Sequence, residues 1–281
     1  HCEGCYRQHL TGHKSLEQIK EEILFFKQWR NPDNVSIAGG EPLVHPQILD
    51  IVAFIAESGI KPVIITNAKA MTPELLRALK KAGCAGFTIH IDSHQSRPGW
   101  KGKSEADLNE LRQQCADMVA EVGGMYSIFN STVYPSTFHE IPDVLRWGRA
   151  NIERVQGLVF ITYRTAATAT TVATDYADRQ VDISQLSYTT ESFEEKFVTS
   201  PEVCQIIKET VPEYEPAAYL GGTILHTSYK WLAGALMGAQ GRFYGSIGPK
   251  AMELGQAGHH FFKGTYLAYL STARVGAKVF L

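Results

Sequence analysis

The chain has 281 residues and a formal net charge of -2, and 44% of its residues are hydrophobic and 20% are charged. This is the composition of an ordinary globular protein that is long enough to bury a full core. No cluster of Lys and Arg stands out, so we expect no nucleic-acid partner. No uninterrupted apolar run approaches the ~20 residues that a membrane-spanning helix needs, so we expect no membrane span.

The chain contains 5 cysteines, of which only Cys2 and Cys5 lie close together in the sequence. They are too few and too scattered for the disulfide framework of a secreted protein, which favours a reducing, cytoplasmic location. The remaining three, Cys84, Cys115 and Cys204, have apolar neighbours and are predicted to be ordinary core thiols. The chain opens inside a cysteine motif and closes in an apolar stretch, so we expect it to be a fragment.

Short β-branched runs alternate with helical periods between about Ser15 and Arg164, which predicts βα units and a parallel sheet. The predicted strands cover residues 35–38, 62–65, 87–91, 125–133 and 158–163. The predicted helices begin near Ser15, Ile48, Thr72, Glu105 and Pro142. Polar or glycine-rich residues repeatedly follow the strands, as they do where α/β barrels place their chemistry.

A sixth strand would lie just before His1, so the sequence predicts a partial (β/α)6 TIM-like barrel that lacks its first strand. This core is predicted to occupy residues 1–164. The composition changes after Arg164, and residues 165–281 are predicted to form a mostly helical C-terminal extension. Its helices are expected at 201–210 and, with interruptions, at 213–230, while the glycine-rich tail from Gly234 onward shows no strand alternation.

Two motifs carry chemistry. Cys2-x-x-Cys5 suits zinc, a redox disulfide or part of an iron-sulfur cluster, and His1 and His9 offer further zinc ligands. Gly39-Gly40-Glu41-Pro42 directly follows a predicted strand, where two glycines allow a ligand to approach the backbone and the carboxylate could meet an ammonium group. A zinc site has no need of this second motif.

Together these residues resemble the radical S-adenosylmethionine (radical SAM) superfamily, whose motifs are Cys-x3-Cys-x2-Cys and Gly-Gly-Glu-Pro. Cys2 and Cys5 match the second and third cysteines, and the first would precede Cys2 by four residues. The family often has an aromatic residue just before the last cysteine, whereas this chain has Gly4 there and Tyr6 after the motif.

The resemblance implies a [4Fe-4S] cluster held by three cysteines, Cys2 and Cys5 among them, with S-adenosylmethionine on the open iron. Thr66-Asn67, Asp92-Ser93 and Asn130 resemble polar strand-end positions of the family. The implied cofactor-binding residues are Gly39, Gly40, Glu41, Pro42, Thr66, Asn67, Asp92, Ser93, Asn130 and Tyr6.

The implied activity is reductive cleavage of S-adenosylmethionine to a 5'-deoxyadenosyl radical, which abstracts hydrogen from an unidentified substrate. The electron donor would be a flavodoxin- or ferredoxin-type protein. The alternative is a noncatalytic, zinc-stabilised α/β binding domain that uses Cys2, Cys5 and nearby histidines. A third interpretation is a family member that binds the cofactor without radical chemistry.

Other polar residues admit two interpretations each. His90, Asp92 and His94 alternate at period two and are either structural or directed at substrate or ribose. The basic residues Arg97, Lys101 and Lys103, and Tyr163-Arg164 beyond them, lie either in solvated loops or at a substrate phosphate. The aromatic tail around residues 259–262 either packs or lines a channel for a lipid-like substrate.

Overall fold

The structure is a computed structural model that describes residues 12–95, 97–163, 175–176, 179–180, 198–221, 229–239, 242–265 and 278–279. The motif residues Cys2, Cys5 and Tyr6 lie outside these ranges, as do His1 and His9. No helix within the described ranges is long and apolar enough to cross a bilayer.

A curved sheet of five parallel strands forms the centre of the described core. The strands are β1 (Asn34–Ile37), β2 (Lys61–Thr66), β3 (Gly86–His90), β4 (Tyr126–Val133) and β5 (Gly157–Thr162), paired in sequence order. Each lies within one residue of its predicted position at either end. All four pairings are parallel, which confirms the partial barrel predicted from the alternation of strands and helices.

Five helices follow the strands or precede them along the chain. They are α1 (Leu16–Arg30), α2 (Ile48–Glu57), α3 (Pro73–Lys81), α4 (Asn109–Val122) and α5 (Ile141–Ala150). The sequence predicts a start for α4 near Glu105, but residues 105–108 form turns before the helix begins. A capping box begins α1, in which Ser15 Oγ accepts from Gln18 N at 3.2 Å and Gln18 Oε1 accepts from Ser15 N at 2.9 Å.

The main hydrophobic core lies between the sheet and its helices. Alternate strand residues point into it, among them Ile64, Phe87, Ile89 and Phe129, and helix residues such as Leu76 and Val119 meet them. Residues of the opposite register, including Val63, Tyr126 and Ile128, form a smaller cluster on the other, concave face of the sheet.

The C-terminal region is not mostly helical in the described residues, so this part of the prediction is wrong. It contains α6 (Ser200–Thr210) and α7 (Pro249–Lys263), but also an antiparallel sheet. The strands of that sheet are β8 (Pro216–Gly221), β9 (Tyr229–Ala239), β10 (Arg242–Ile247) and β11 (Lys278–Val279), and two short strands, β6 (Asp175–Tyr176) and β7 (Arg179–Gln180), pair separately. The helix expected at 201–210 is confirmed by α6.

Glycines explain why the sequence of β9 does not predict a strand. A Cβ atom at Gly234 would lie 2.1 Å from Tyr214 Cε2, and one at Gly238 would lie 2.4 Å from Ile152 Cδ1. These contacts require glycine, which removes the alternating side chains that normally identify a strand. The sequence predicts a helix over 213–230, but residues 216–221 are extended because they pair with β9.

Candidate active site

The polar residues singled out in the sequence lie at the C-terminal ends of neighbouring strands. Gly39 and Gly40 follow β1, Thr66 ends β2, and Asn130 lies in the second half of β4. The carboxyl ends of parallel strands share one edge of a sheet, which is where α/β barrels bind their ligands. The structure therefore brings these sequence-predicted residues to one edge.

Glu41 joins the first two strand ends. Its Oε1 accepts from Thr66 Oγ1 at 2.6 Å and from Leu43 N at 3.1 Å, and its Oε2 accepts from Asn67 N at 2.8 Å. It thereby caps the short 3-10 helix that begins at Pro42. The carboxylate thus contacts three donors of the protein itself, and its predicted contact with an ammonium group stays a prediction.

The backbone at Gly40 is open. A Cβ atom placed on this residue would meet no described atom within 4 Å, and Gly40 is exposed. The space beside this strand end is therefore available to a ligand that lies against the backbone. Asn67, whose Oδ1 accepts from Lys69 N at 2.9 Å, closes the turn after β2.

Asp92 is a buried carboxylate at the end of β3. Its Oδ2 lies 2.6 Å from His90 Nε2 and accepts from Thr132 N at 3.3 Å, and its Oδ1 accepts from His94 N at 3.1 Å. Burial by itself raises the pKa of Asp92, but the hydrogen bond and charge of His90 and the two backbone N–H groups outweigh it and hold the pKa below its usual value. Asp92 is ionised at neutral pH, and it fixes the His90 imidazole.

A buried ion pair beneath this edge holds the chain on either side of Asp92. Arg112 is 0% exposed and donates to Ile91 O at 2.9 Å, to Glu105 O at 2.7 Å and to the carboxylate of Glu105. Glu105 Oε1 in turn accepts from Ser93 N at 2.7 Å. Burial lowers the pKa of Arg112, and the charge of Glu105 opposes that shift.

Sequence reasoning did not identify Arg112 or Glu105. A charged residue in an amphipathic helix normally lies on the solvated face, and only the fold shows that Arg112 points under the strand ends. Arg97 is also buried, and it donates to His90 O at 2.7 Å, so the interpretation as a solvated loop residue is wrong for it. Lys101 and Lys103 are exposed, as that interpretation predicts.

Asn130 carries an unused polar atom inside the concave face. It is 7% exposed, and its Oδ1 has no hydrogen-bond partner among the residues that the structure describes. A buried polar atom without a partner is rare and costs about 1–3 kcal/mol, which a ligand with a donor group would relieve. The open backbone at Gly40 and the orphaned oxygen of Asn130 fit a ligand such as S-adenosylmethionine along this edge.

Three aromatic rings stack beside the site. His94 and Tyr134 have ring centroids 3.7 Å apart at an interplanar angle of 25°, and Tyr134 and Tyr163 have centroids 4.8 Å apart. Arg164 lies outside the described residues. In the C-terminal tail Phe261 and Phe262 contact each other edge-to-face but are more than four-fifths exposed, so neither ring packs into a core of the described part.

The cysteines within the described ranges behave as core residues. Cys84 and Cys115 are buried, and burial raises the pKa of their thiols to about 12 and about 11. Cys204 is half-buried. The described residues contain no group of His, Cys, Asp and Glu side chains that could hold a metal ion.

Comparison with known proteins identifies the family. The model of the Radical SAM superfamily matches residues 1–148. The chain belongs to the radical SAM superfamily. This confirms the resemblance drawn from the cysteine and glycine motifs, and the zinc-stabilised alternative is not favoured.

The relatives are radical SAM proteins with different activities. The chain is 31% identical over 114 residues to an AdoMet-dependent heme synthase of Methanosarcina barkeri. This match covers 38% of this chain and 32% of the relative. It is 26% identical over 170 residues to GTP 3',8-cyclase 1 of Mycobacterium tuberculosis, or 58% of this chain and 45% of the relative. The chain thus spans less than half the length of these curated relatives.

Solved structures with a similar fold include coproporphyrinogen III oxidase (HemN) from Escherichia coli. It is 12% identical, with a TM-score of 0.43, and the match covers 71% of this chain and 46% of that chain.

Proposed function

We propose that this chain is the core of a radical SAM enzyme that binds a [4Fe-4S] cluster and S-adenosylmethionine and abstracts hydrogen from a substrate yet to be identified. The observation that carries the proposal is the common edge formed by Gly39–Pro42, Thr66–Asn67, Asp92–Ser93 and Asn130, within a chain of this superfamily. The order of these groups along the chain is the order of the strands that bear them.

Cys2 and Cys5 would hold the cluster, together with a third cysteine four residues before Cys2, and Tyr6 would lie near the adenine. When bound, the cluster would supply the electron that cleaves the sulfur–C5' bond of S-adenosylmethionine and so yields a hydrogen-abstracting radical. The chain's own contribution is to bind and orient the reactants and to exclude water.

The glycine motif would hold the methionine end of the cofactor through its backbone. Gly40 leaves the strand end open, while Glu41 fixes the position of the motif through its bonds to Thr66, at the end of β2, and to Asn67 directly after it. Because the Glu41 carboxylate has three protein donors, we infer that backbone carbonyl groups of the motif receive the cofactor's ammonium. Pro42 is buried and begins the 3-10 helix that follows the motif.

Asp92, Ser93 and Asn130 would form the far side of the cofactor site. Asp92 acts through the groups it holds, because its carboxylate is 3% exposed and is already bonded to His90, His94 and Thr132. Asn130 would face the space where cofactor and substrate meet. The Arg112–Glu105 pair would keep Ser93 in place through the 2.7 Å bond to its N–H.

The named relatives include enzymes of heme and GTP chemistry, and we propose a small-molecule or lipid-like substrate with a flavodoxin- or ferredoxin-type electron donor. No sequence or structural feature of the described residues favours zinc over a cluster, and superfamily membership favours the cluster.

The test is anaerobic reconstitution of the protein, extended upstream of His1 through the expected third cysteine, with iron and sulfide. Addition of dithionite and S-adenosylmethionine should yield 5'-deoxyadenosine from a brown protein. Cys5→Ala should abolish both colour and product, whereas Cys204→Ala, on the surface-facing helix α6, should keep both. A colourless, inactive protein that retains zinc would refute the proposal.

A further inference from the structure

The C-terminal ends of α1 and α7 meet at a hydrogen bond. Asn31, directly after α1, donates through its Nδ2 to the carbonyl oxygen of Gly264, directly after α7, at 3.0 Å. Trp29 and Phe262 each lie two residues before this contact, which is about 3 Å along a helix axis. The last turns of the two helices are therefore neighbours in the fold.

Four aromatic rings on these last turns are exposed to solvent. Phe25 and Trp29 are 59% and 68% exposed, and Phe261 and Phe262 are 82% and 81% exposed. The centroids of the two rings lie 6.2 Å apart in the first pair and 5.2 Å apart in the second. The four side chains together expose on the order of 600 Å², as much as the largest apolar patch of a typical monomer. We call these four residues the aromatic surface.

The rings of α1 lie on the side of the helix that faces away from the core. Leu16 and Ile23 are buried on its inner side, in a cluster with residues of α2 and β1. At about 3.6 residues per turn, Phe25 lies about 180° around the helix from Leu16, and Trp29 lies about 120° from Ile23. A further strand beside β1 would lie under the inner side of α1, so it would leave Phe25 and Trp29 uncovered. Helix α7, which is described over its full length, contains no buried residue.

Positive charge accompanies the aromatic surface. The last two turns of the helices, residues 24–30 and 257–263, contain Lys27, Arg30 and Lys263 and no acidic residue. Each helix C-terminus carries a partial negative charge of about half an elementary charge, so an excess of positive charge remains. Within the part of the chain that the structure describes, neither Arg30 nor Lys263 has an acidic partner.

The acidic residues nearest to these turns of α1 are already paired. Glu22 forms an ion pair with Lys14, and Asp33 forms one with Lys61 Nζ at 2.9 Å. Exposed aromatic rings beside unpaired basic side chains are typical of surfaces that bind anionic membranes. The rings enter the boundary between headgroups and acyl chains, while the basic groups meet the lipid phosphates.

A second copy of the chain fits this surface less well. A symmetric contact between two copies would bring the same basic residues of both copies together, and like charges at an interface oppose association. An anionic lipid layer instead complements the charge and accepts the rings at the same time.

We propose that the C-terminal ends of α1 and α7 form a docking surface for an anionic lipid membrane. The aromatic surface enters the membrane interface, and the three basic residues contact lipid phosphate groups. This contact holds the protein on the membrane without a spanning segment. It requires neither the cluster nor S-adenosylmethionine, so it is independent of the proposed function.

The test is flotation of the protein, extended upstream of His1 as above, with lipid vesicles. Vesicles of phosphatidylcholine and phosphatidylglycerol at about 2 to 1 are compared with vesicles of phosphatidylcholine alone. We expect the partition coefficient to be about tenfold or more higher for the anionic vesicles. Added salt should reduce this difference, because it screens exposed charges.

Trp29 reports insertion directly. Its emission should move to shorter wavelength on anionic vesicles, and lipids brominated on the acyl chains should quench it. Trp29→Phe identifies this signal among the 4 tryptophans of the chain. This variant keeps an aromatic ring, so it should lose the spectral shift and still bind the vesicles.

A double variant tests the rings. Phe261→Ser with Phe262→Ser should lower the partition coefficient by about tenfold or more, because two exposed rings no longer leave water on binding. Tyr244→Ser on β10 is the matched control, since Tyr244 is 59% exposed but lies outside the aromatic surface. This control should bind as the unaltered protein does.

A second double variant tests the charges. Arg30→Gln with Lys263→Gln should lower binding to the anionic vesicles by about tenfold and leave binding to phosphatidylcholine unchanged. Lys101→Gln, which removes another exposed cation, should change neither. All the replaced side chains are exposed, so the melting temperatures should stay the same.

Four results would overturn the proposal. They are no binding to anionic vesicles, binding without a spectral shift from Trp29, an equal loss of binding in Tyr244→Ser, and a dimer in solution that the phenylalanine substitutions dissociate while vesicle binding is unchanged. The last result would assign the surface to a second copy of the chain. Vesicle binding by a protein that forms no 5'-deoxyadenosine would refute the proposed function and support the membrane surface.

Discussion

Replacing Arg112 with Met should destabilise the protein strongly. A double variant that also removes the charge of Glu105 should be destabilised much less. The guanidinium donates to Glu105 O, Asn109 Oδ1, Ile91 O, Ser131 Oγ and the Glu105 carboxylate, and its own side chain is 0% exposed. Arg112→Met leaves the carboxylate of Glu105, only 5% exposed, without its counter-charge. Removal of one partner of such a buried pair costs about 3–5 kcal/mol.

The compensated variant is Arg112→Met with Glu105→Gln. Glutamine at position 105 removes the uncompensated charge. In the unaltered protein Ser93 N donates to the Glu105 carboxylate at 2.7 Å, and the amide oxygen of glutamine can accept the same bond. We therefore expect the double variant to recover about half or more of the lost stability.

Urea unfolding of the two single variants and the double variant, followed by circular dichroism, measures these differences. The exposed pair Arg146–Asp143 is the matched control, because Arg146→Met should cost less than about 1 kcal/mol. Two results would refute the reasoning. One is a loss of less than about 1 kcal/mol in the free energy of unfolding for Arg112→Met. The other is a loss in the double variant that equals or exceeds the sum of the losses in the two single variants.

Three further predictions follow from other contacts. Gly40→Ala should leave the melting temperature unchanged, because its Cβ meets nothing within 4 Å, but should raise the KM for S-adenosylmethionine; Gly86→Ala should instead lower the melting temperature, because its Cβ would lie 2.5 Å from Tyr126 O. Thr66→Val removes the 2.6 Å bond to Glu41 and should cost about 1.5–3 kcal/mol in urea unfolding, whereas Thr210→Val, on α6, should cost less. The pKa of Asp92 is lower in the folded state than in the unfolded state, so the ionised carboxylate stabilises the fold above about pH 4, and this stabilisation is lost as the pH falls through the folded pKa. The difference in the free energy of unfolding between the unaltered protein and Asp92→Asn should therefore shrink over that range. A difference that does not depend on pH would contradict this assignment.

The parallel half of the fold could be predicted because its elements are locally explicit. Ser15 and Thr72 cap their helices as the sequence indicates, and β-branched runs such as residues 62–65 fall in buried strands. The positions of the polar strand ends then follow, since parallel strands place their carboxyl ends together.

The antiparallel sheet could not be predicted in the same way. The pattern of β9 depends on Gly234 and Gly238, which are required by Tyr214 and Ile152, residues distant in sequence. The Arg112–Glu105 pair and the bonding of Glu41 were also hidden. Both depend on which hydrogen-bond partners a long side chain reaches after the chain has folded, and the spacing of residues does not encode that choice.

The three bonds of Glu41 have a consequence for protein engineering. The Gly39–Pro42 loop and the Thr66–Asn67 turn form one structural unit, because the carboxylate of the first is satisfied by an hydroxyl and an N–H of the second. A graft of the four-residue loop alone onto another half-barrel would leave the half-buried Glu41 carboxylate without the donors that Thr66 and Asn67 supply. A graft that carries both segments would include the donors that this carboxylate needs, so the smallest transferable unit of the proposed cofactor site comprises two strand ends.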